Sequence, residues 1–186
     1  MTVFDNAIIF AVHAHSGATR KNGRTPYILH PIEVASIAGT MTDDAEILAA
    51  AVLHDTVEDT LVTFDDIRTA FGERVCALVG SETEDKRPDL PPGESWEIRK
   101  KESLEKLEKA TDIGVKIIWL SDKLANLRSF KTALDEKGGD FLLAFNQKDP
   151  SRQRWYYRSV LERIPELASF PAYKEFSSLI DEVFPE

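Results

Sequence analysis

Cysteine is almost missing from this chain: Cys76 is the single one in 186 residues. No intrachain disulfide can form, and zinc sites built from several thiolates are excluded. Flanked by Val75, Ala77 and Leu78, Cys76 reads as a buried core thiol. Long apolar runs are also missing. Nowhere do eighteen apolar residues follow one another, and the N-terminus has no basic segment leading into an apolar one. Neither a membrane span nor a secretory leader is expected, and cytoplasmic residence is. Positive charge is scarce: 23 Lys and Arg stand against 32 Asp and Glu, a formal net charge of −9. Such a chain is a poor partner for a nucleic acid polymer, whose binding rests on basic surface. A small anion remains a possible ligand where cations gather locally. Alternating apolar and polar residues, the mark of strands, are rare, and no internal repeat is visible. With 42% hydrophobic and 30% charged residues, the chain is expected to fold as one all-α domain over residues 1–186.

What the chain does contain is one unusual stretch. Ala49-Ala50-Ala51-Val52-Leu53 is apolar enough for a helix buried on most sides, and it runs directly into His54, Asp55, Glu58 and Asp59. Carboxylates taken out of water are normally paired or bound to a metal. Adjacent residues stand about 100° apart around a helix, so His54 and Asp55 can converge on one ion. Helical spacing then puts Glu58 four residues after His54 and Asp59 four after Asp55, two carboxylates placed to handle a water. A second apolar run, Val115-Lys116-Ile117-Ile118-Trp119-Leu120, likewise ends in polar groups, Ser121, Asp122, Lys123 and Asn126. Alone it is compatible with a strand; its continuation through Leu124 and Leu127 favours a helix with Asp122 and Asn126 on one face. Together with His30, which precedes Pro31 at a helix start, His54, Asp55 and Asp122 form a set of two imidazoles and two carboxylates. That set suits Mn²⁺, Fe²⁺ or Zn²⁺ and leaves positions open for water or substrate.

The remaining elements follow from local signals. A helix is expected from Val3 to about Ser16, ending before Gly17, and Thr42 or Asp43 is expected to cap the helix of the central stretch. Thr63 should cap Phe64–Phe71, with Gly72 breaking it, and another helix should follow from Glu73. Pro88, Pro91 and Pro92 make Glu84–Gly93 irregular, with Glu94 or Ser95 restarting a helix. Further helices are expected over Asp140–Asn146, Ser151–Arg163 and Ala172–Val183. The turn-rich segment Gly17–Tyr27 carries Arg20, Lys21 and Arg24, which serve either as solvated surface or as a phosphate cradle.

Taken together, His15-Ser16-Gly17 with Arg20-Lys21, then Thr25-Pro26-Tyr27-Ile28-Leu29-His30-Pro31-Ile32, Leu53-His54-Asp55-Thr56-Val57-Glu58-Asp59 and Ser121-Asp122-Lys123-Leu124-Ala125-Asn126-Leu127-Arg128 resemble the HD-type hydrolase domain of the RelA/SpoT family. The resemblance covers residues 5 to 130, and with no synthetase or regulatory segment the chain is similar to the family's small stand-alone alarmone hydrolases. It implies a helical HD fold, a Mn²⁺ ion and hydrolysis of guanosine 3′-diphosphate 5′-di- or triphosphate to GDP or GTP and pyrophosphate. By position, His30, His54, Asp55 and Asp122 match the metal ligands, Glu58 and Asp59 the catalytic acids, and Arg20, Lys21 and Asn126 the nucleotide pocket. Ala125, Ser121 and the longer Pro-rich loop depart from the family's pattern and bear on substrate preference. Another nucleotide, NADPH among them, is the alternative substrate. A non-catalytic nucleotide sensor would be expected to lack an acid or a ligand that this chain retains.

Overall fold

The computed structural model describes residues 1–20, 24–87 and 89–185. These residues form helices α1 (Val3–Ala14), α2 (Leu29–Ala38), α3 (Ala45–Leu53), α4 (Thr56–Asp59) and α5 (Phe64–Phe71). They continue with α6 (Glu73–Glu82), α7 (Pro92–Lys109), α8 (Ile113–Lys137), α9 (Pro150–Glu162) and α10 (Pro171–Val183). Among them there is no strand, only one isolated antiparallel bridge, Thr19 to Pro26. The fold is all-α, and no described helix is long and apolar enough to cross a membrane. The chain clusters into two compact units, Met1–Thr83 with Asp112–Asp122, and Glu84–Thr111 with Lys123–Glu186.

In the first unit α3 is the central helix, packed against α1, α2 and α6. Ala49, Ala50, Ala51, Val52 and Leu53 are wholly buried, and the three alanines let neighbouring helices come close. Its N-cap is Asp44, whose Oδ1 accepts from the N–H groups of Glu46 at 2.9 Å and Ile47 at 3.4 Å. Thr42 and Asp43, the expected caps, lie outside; the Thr42 hydroxyl instead accepts from the Asp44 N–H and closes the preceding turn. Arg74 ties this helix start to α6 through Asp44 at 2.7 Å and Glu46 at 2.9 Å. The α8 segment of this unit is buried along Ile117–Asp122. Gly114 lets its first turn approach α3, since a Cβ there would lie 2.9 Å from Ile47 Cγ1. The Thr63 cap and the Gly72 break (φ 89°) around α5 are as expected.

The second unit is organised by aromatic rings: Phe130 lies against Phe141, Tyr157 and Phe184 with ring centroids 5.7, 6.1 and 6.2 Å away. Helix α7 begins at Pro92, two or three residues earlier than expected. A proline at the first helical position needs no N–H partner, and Pro91, extended at ψ 136°, caps the turn. Residues Gly138–Ala144 form a 3₁₀ helix in place of the expected α-helix, after Gly138 (φ 61°) ends α8. The other charged feature is Glu84, which binds Arg99 and Lys100 at 2.7 Å each and accepts from Ser103 at 3.2 Å. Burial opposes its charge, but Lys100, Lys123 and Arg99 outweigh that and hold Glu84 below the usual glutamate range. Burial pulls Lys100 downward and Lys123 and Arg99 add to this, which Glu84 offsets only in part.

Removing the cap by Asp44→Ala should destabilise the chain by about 1 kcal/mol, while Asp44→Asn retains most of it. In thermal unfolding the alanine variant should melt about 2–4 °C lower. Glu84→Gln removes the negative charge that faces Arg99, Lys100 and Lys123 and should cost about 3 kcal/mol at neutral pH. A carboxylate with a depressed folded pKa stabilises above its unfolded value and stops doing so as pH falls through the folded one. The gap between wild type and Glu84→Gln in urea titrations should therefore close below about pH 4.

Candidate metal centre

Helix α3 stops at Leu53, so the central stretch is not one continuous helix. His54 and Asp55 occupy the turn between α3 and the single turn of α4. The Asp59 N–H still reaches the Asp55 carbonyl at 2.9 Å, which preserves the four-residue spacing between these two acids. At the turn, His54 Nδ1 lies 2.8 Å from the Ala51 carbonyl. A carbonyl only accepts, so Nδ1 carries the proton and Nε2 is left as a lone-pair donor toward the interior.

That Nε2 is buried and meets no partner in hydrogen-bond geometry. Around it, atoms of three other predicted residues converge. His54 Nε2 is 3.0 Å from Asp55 Oδ2 and 3.6 Å from Asp122 Oδ1. His30 Nε2 is 3.0 Å from the same Asp122 oxygen and 3.6 Å from the same Asp55 oxygen. Nitrogen and oxygen thus alternate around a closed ring of four atoms. Bonds of about 2.1 Å to a shared ion place neighbouring ligand atoms about 3.0 Å apart at right angles and about 3.4 Å at the tetrahedral angle. His30, His54 and Asp122 each offer an atom within 4.8 Å of the others, a donor set that could hold a divalent cation and that includes the orphaned Nε2, with Asp55 beside it. His30, His54 and Asp122 are 5%, 1% and 5% exposed, whereas the Asp55 side chain, at 22%, is the open side.

The electrostatics match the geometry. Burial disfavours charge on His54, but Asp55 and Asp122 reverse this and hold its imidazolium well above the ordinary histidine range. Burial likewise opposes ionisation of Asp55, which His54 and His30 keep below the usual carboxylate range. Two carboxylates in this space draw in positive charge, whether a proton or a metal ion.

Of the two acids that follow, Glu58 is half-buried and Asp59 exposed on α4. A residue that sequence reasoning did not single out reaches Asp59 and links it to Asp55: the Tyr27 hydroxyl lies 2.6 Å from Asp55 Oδ2 and 2.9 Å from Asp59 Oδ2. Burial and both carboxylates push Tyr27 ionisation far above the usual tyrosine range, so it remains a donor. Its ring stacks on buried His15 with centroids 4.8 Å apart. The Arg20 guanidinium lies 5.7 Å from the Tyr27 centroid. Arg20 is placed there by its N–H bond to the Thr25 carbonyl, 2.9 Å, beside the Thr19 to Pro26 bridge. Lys21 lies outside the described residues. Asn126 is half-buried on α8, four residues beyond Asp122, and belongs to the second unit. Arg128, in the same unit, is held by both carboxylate oxygens of Glu175 at 2.7 and 2.8 Å.

Residues 7–141 match the HD domain family. The chain belongs to the HD-domain family. This HD domain is 41% identical over 131 residues to the guanosine-3′,5′-bis(diphosphate) 3′-pyrophosphohydrolase MESH1 of Xenopus tropicalis, covering 68% of this chain and 69% of that one. It is 32% identical over 139 residues to a GTP pyrophosphokinase of Myxococcus xanthus, covering 74% of this chain. There the HD domain spans only 18% of the relative's length. A solved metazoan orthologue of SpoT, described as hydrolysing ppGpp and playing a role in starvation responses, matches it with a TM-score of 0.74 at 28% identity. That match covers 99% of this chain and 94% of the other. The likeness to MESH1 and to this orthologue places the HD domain in the RelA/SpoT branch of the family.

Calorimetry on metal-stripped protein should show saturable Mn²⁺ binding that His54→Ala weakens by more than about a hundredfold. At a hundredfold excess over Kd the ion should add about 2.7 kcal/mol of stability, read as a higher melting temperature that a chelator reverses.

Proposed function

We propose that this HD domain, read as one hydrolase domain over residues 1–186, is a metal-dependent guanosine-3′,5′-bis(diphosphate) 3′-pyrophosphohydrolase. The observation that carries the reading is the buried ring of His30, His54, Asp55 and Asp122 with the Asp59 carboxylate one hydroxyl away from it. The likeness to MESH1 of Xenopus tropicalis and to the SpoT orthologue supports the substrate. The match to the HD domain family, which extends from residue 7 to residue 141, supports the single domain.

In this reading the four ring residues hold the ion; Mn²⁺ suits the donor set, as do Fe²⁺ and Zn²⁺. When bound, such an ion polarises a phosphate oxygen and makes a nearby water more acidic. Glu58 and Asp59 are the acids that take the proton from the attacking water and orient it. The water oxygen bonds to the phosphorus carried on O3′, the bond from that phosphorus to O3′ breaks, O3′ takes up a proton to balance the one the carboxylate removed, and the products are pyrophosphate and GDP or GTP. Arg20, Lys21 and Asn126 bind the nucleotide, the cations offsetting polyphosphate charge that the acidic pair would otherwise repel. The substrate is a small soluble nucleotide, in keeping with cytoplasmic residence.

Metal-stripped protein should release pyrophosphate from guanosine tetraphosphate only after Mn²⁺ is restored. Glu58→Ala and Asp59→Ala should each lower kcat by about 10²–10⁴-fold while still binding Mn²⁺. Folded, metal-loaded protein that releases no pyrophosphate would sink the substrate assignment, and faster phosphate release from NADPH would redirect it.

A further inference from the structure

Helix α4 is four residues long, too short to hold its own side chains in place, yet the proposed reaction needs one of its carboxylates fixed beside the ring of ligand atoms. The fixing contact comes from elsewhere in the chain. The Tyr27 hydroxyl meets Asp55 Oδ2 at 2.6 Å and Asp59 Oδ2 at 2.9 Å. The Asp55 oxygen it meets is the one that faces both imidazoles. A phenol has one proton and both contacts are to acceptors, so the two carboxylates share a single donor and their positions are tied together.

Tyr27 is itself held from several sides. Its N–H donates to the Ala18 carbonyl at 2.9 Å, its ring stacks on His15 at 4.8 Å with 29° between planes, and Arg20 lies 5.7 Å from its centroid. His15 is 4% exposed and its Nε2 has no hydrogen-bond partner, so in this arrangement it acts as a packing surface for the tyrosine ring.

We infer that Tyr27 is a positioning residue: its hydroxyl holds the Asp59 carboxylate next to the ion-facing oxygen of Asp55. The inference rests on the proposed hydrolase reading for its catalytic half and on the geometry alone for its metal half. Without the hydroxyl, two like charges face each other with no shared proton from Tyr27 between them.

The test is a double-mutant cycle of Tyr27→Phe and Asp59→Asn in the full-length protein, with matched melting curves. It is read by calorimetric Mn²⁺ titration without nucleotide and by steady-state kinetics on guanosine tetraphosphate. Phenylalanine retains the ring and its stack on His15. Tyr27→Phe should weaken Mn²⁺ binding about tenfold and lower kcat tenfold or more, with KM within twofold of wild type. In the Asp59→Asn background the same change should cause little further loss of either. Losses that simply multiply overturn the proposal, as does a Tyr27→Phe protein within twofold of wild type in both readouts. If the wild type binds Mn²⁺ but hydrolyses no guanosine tetraphosphate, the hydrolase reading fails. The Mn²⁺ cycle then decides Tyr27 alone: coupling with Asp59 supports its role and additivity overturns it.

Discussion

Everything in the first unit depends on placing two carboxylates and two imidazoles within 3.0 to 3.6 Å of one another out of water. With neutral histidines the set carries two negative charges in a medium that tolerates none. Positive charge must enter, and the raised affinity of His54 for a proton reflects that demand. A divalent cation satisfies the same demand with a full neutralisation. The folding problem and the chemical function therefore have one electrostatic origin.

Local structure supplies the means. Alanines at 49, 50 and 51 let α3 sit at the centre of its unit, and the helix ends where its ionisable residues begin. The Ala51 carbonyl accepts from His54 and so orients the ring. On α8 the buried Ser121 hydroxyl is satisfied within the helix by the Ile117 carbonyl at 2.7 Å, which leaves Asp122 beside it to turn toward the site without competition. At this depth His54 and Ser121 have backbone partners, whereas His15 Nε2 and the Thr56 hydroxyl have no hydrogen-bond partner.

Much of this was legible beforehand, for reasons that can be named. His54-Asp55 after an apolar run and Asp122 after another are departures from helical patterning that suggest one shared site. Thr63 and Gly72 are local signals that act within one turn, and they bounded α5 correctly. The choice among Thr42, Asp43 and Asp44 as cap was harder, because adjacent polar residues compete and backbone dihedrals decide. The interruption of α3 at His54 is not legible in the sequence, since nothing in Leu53-His54-Asp55-Thr56 breaks a helix by propensity. Tyr27 was readable as part of a motif but not as a bridge, because its partners lie 28 and 32 residues away. Helix α7 starts at Pro92, earlier than three closely spaced prolines suggest, because a proline fits a first helical turn.

The glycine at position 114 has a reach beyond its own turn. A methyl group there would meet Ile47 Cγ1 at 2.9 Å and Ile47 Cδ1 at 3.0 Å, and Ile47 is a buried, β-branched residue of α3 with little room to yield. The helix is a stiff rod, and Asp122 rides on it about 12 Å further along. A few tenths of an ångström gained at one end are passed on as tilt to the other, where metal-ligand bonds tolerate only about 0.2 Å. The missing side chain thus works as a shim of zero thickness, setting the gauge between the helix that carries Asp122 and the helix that delivers His54.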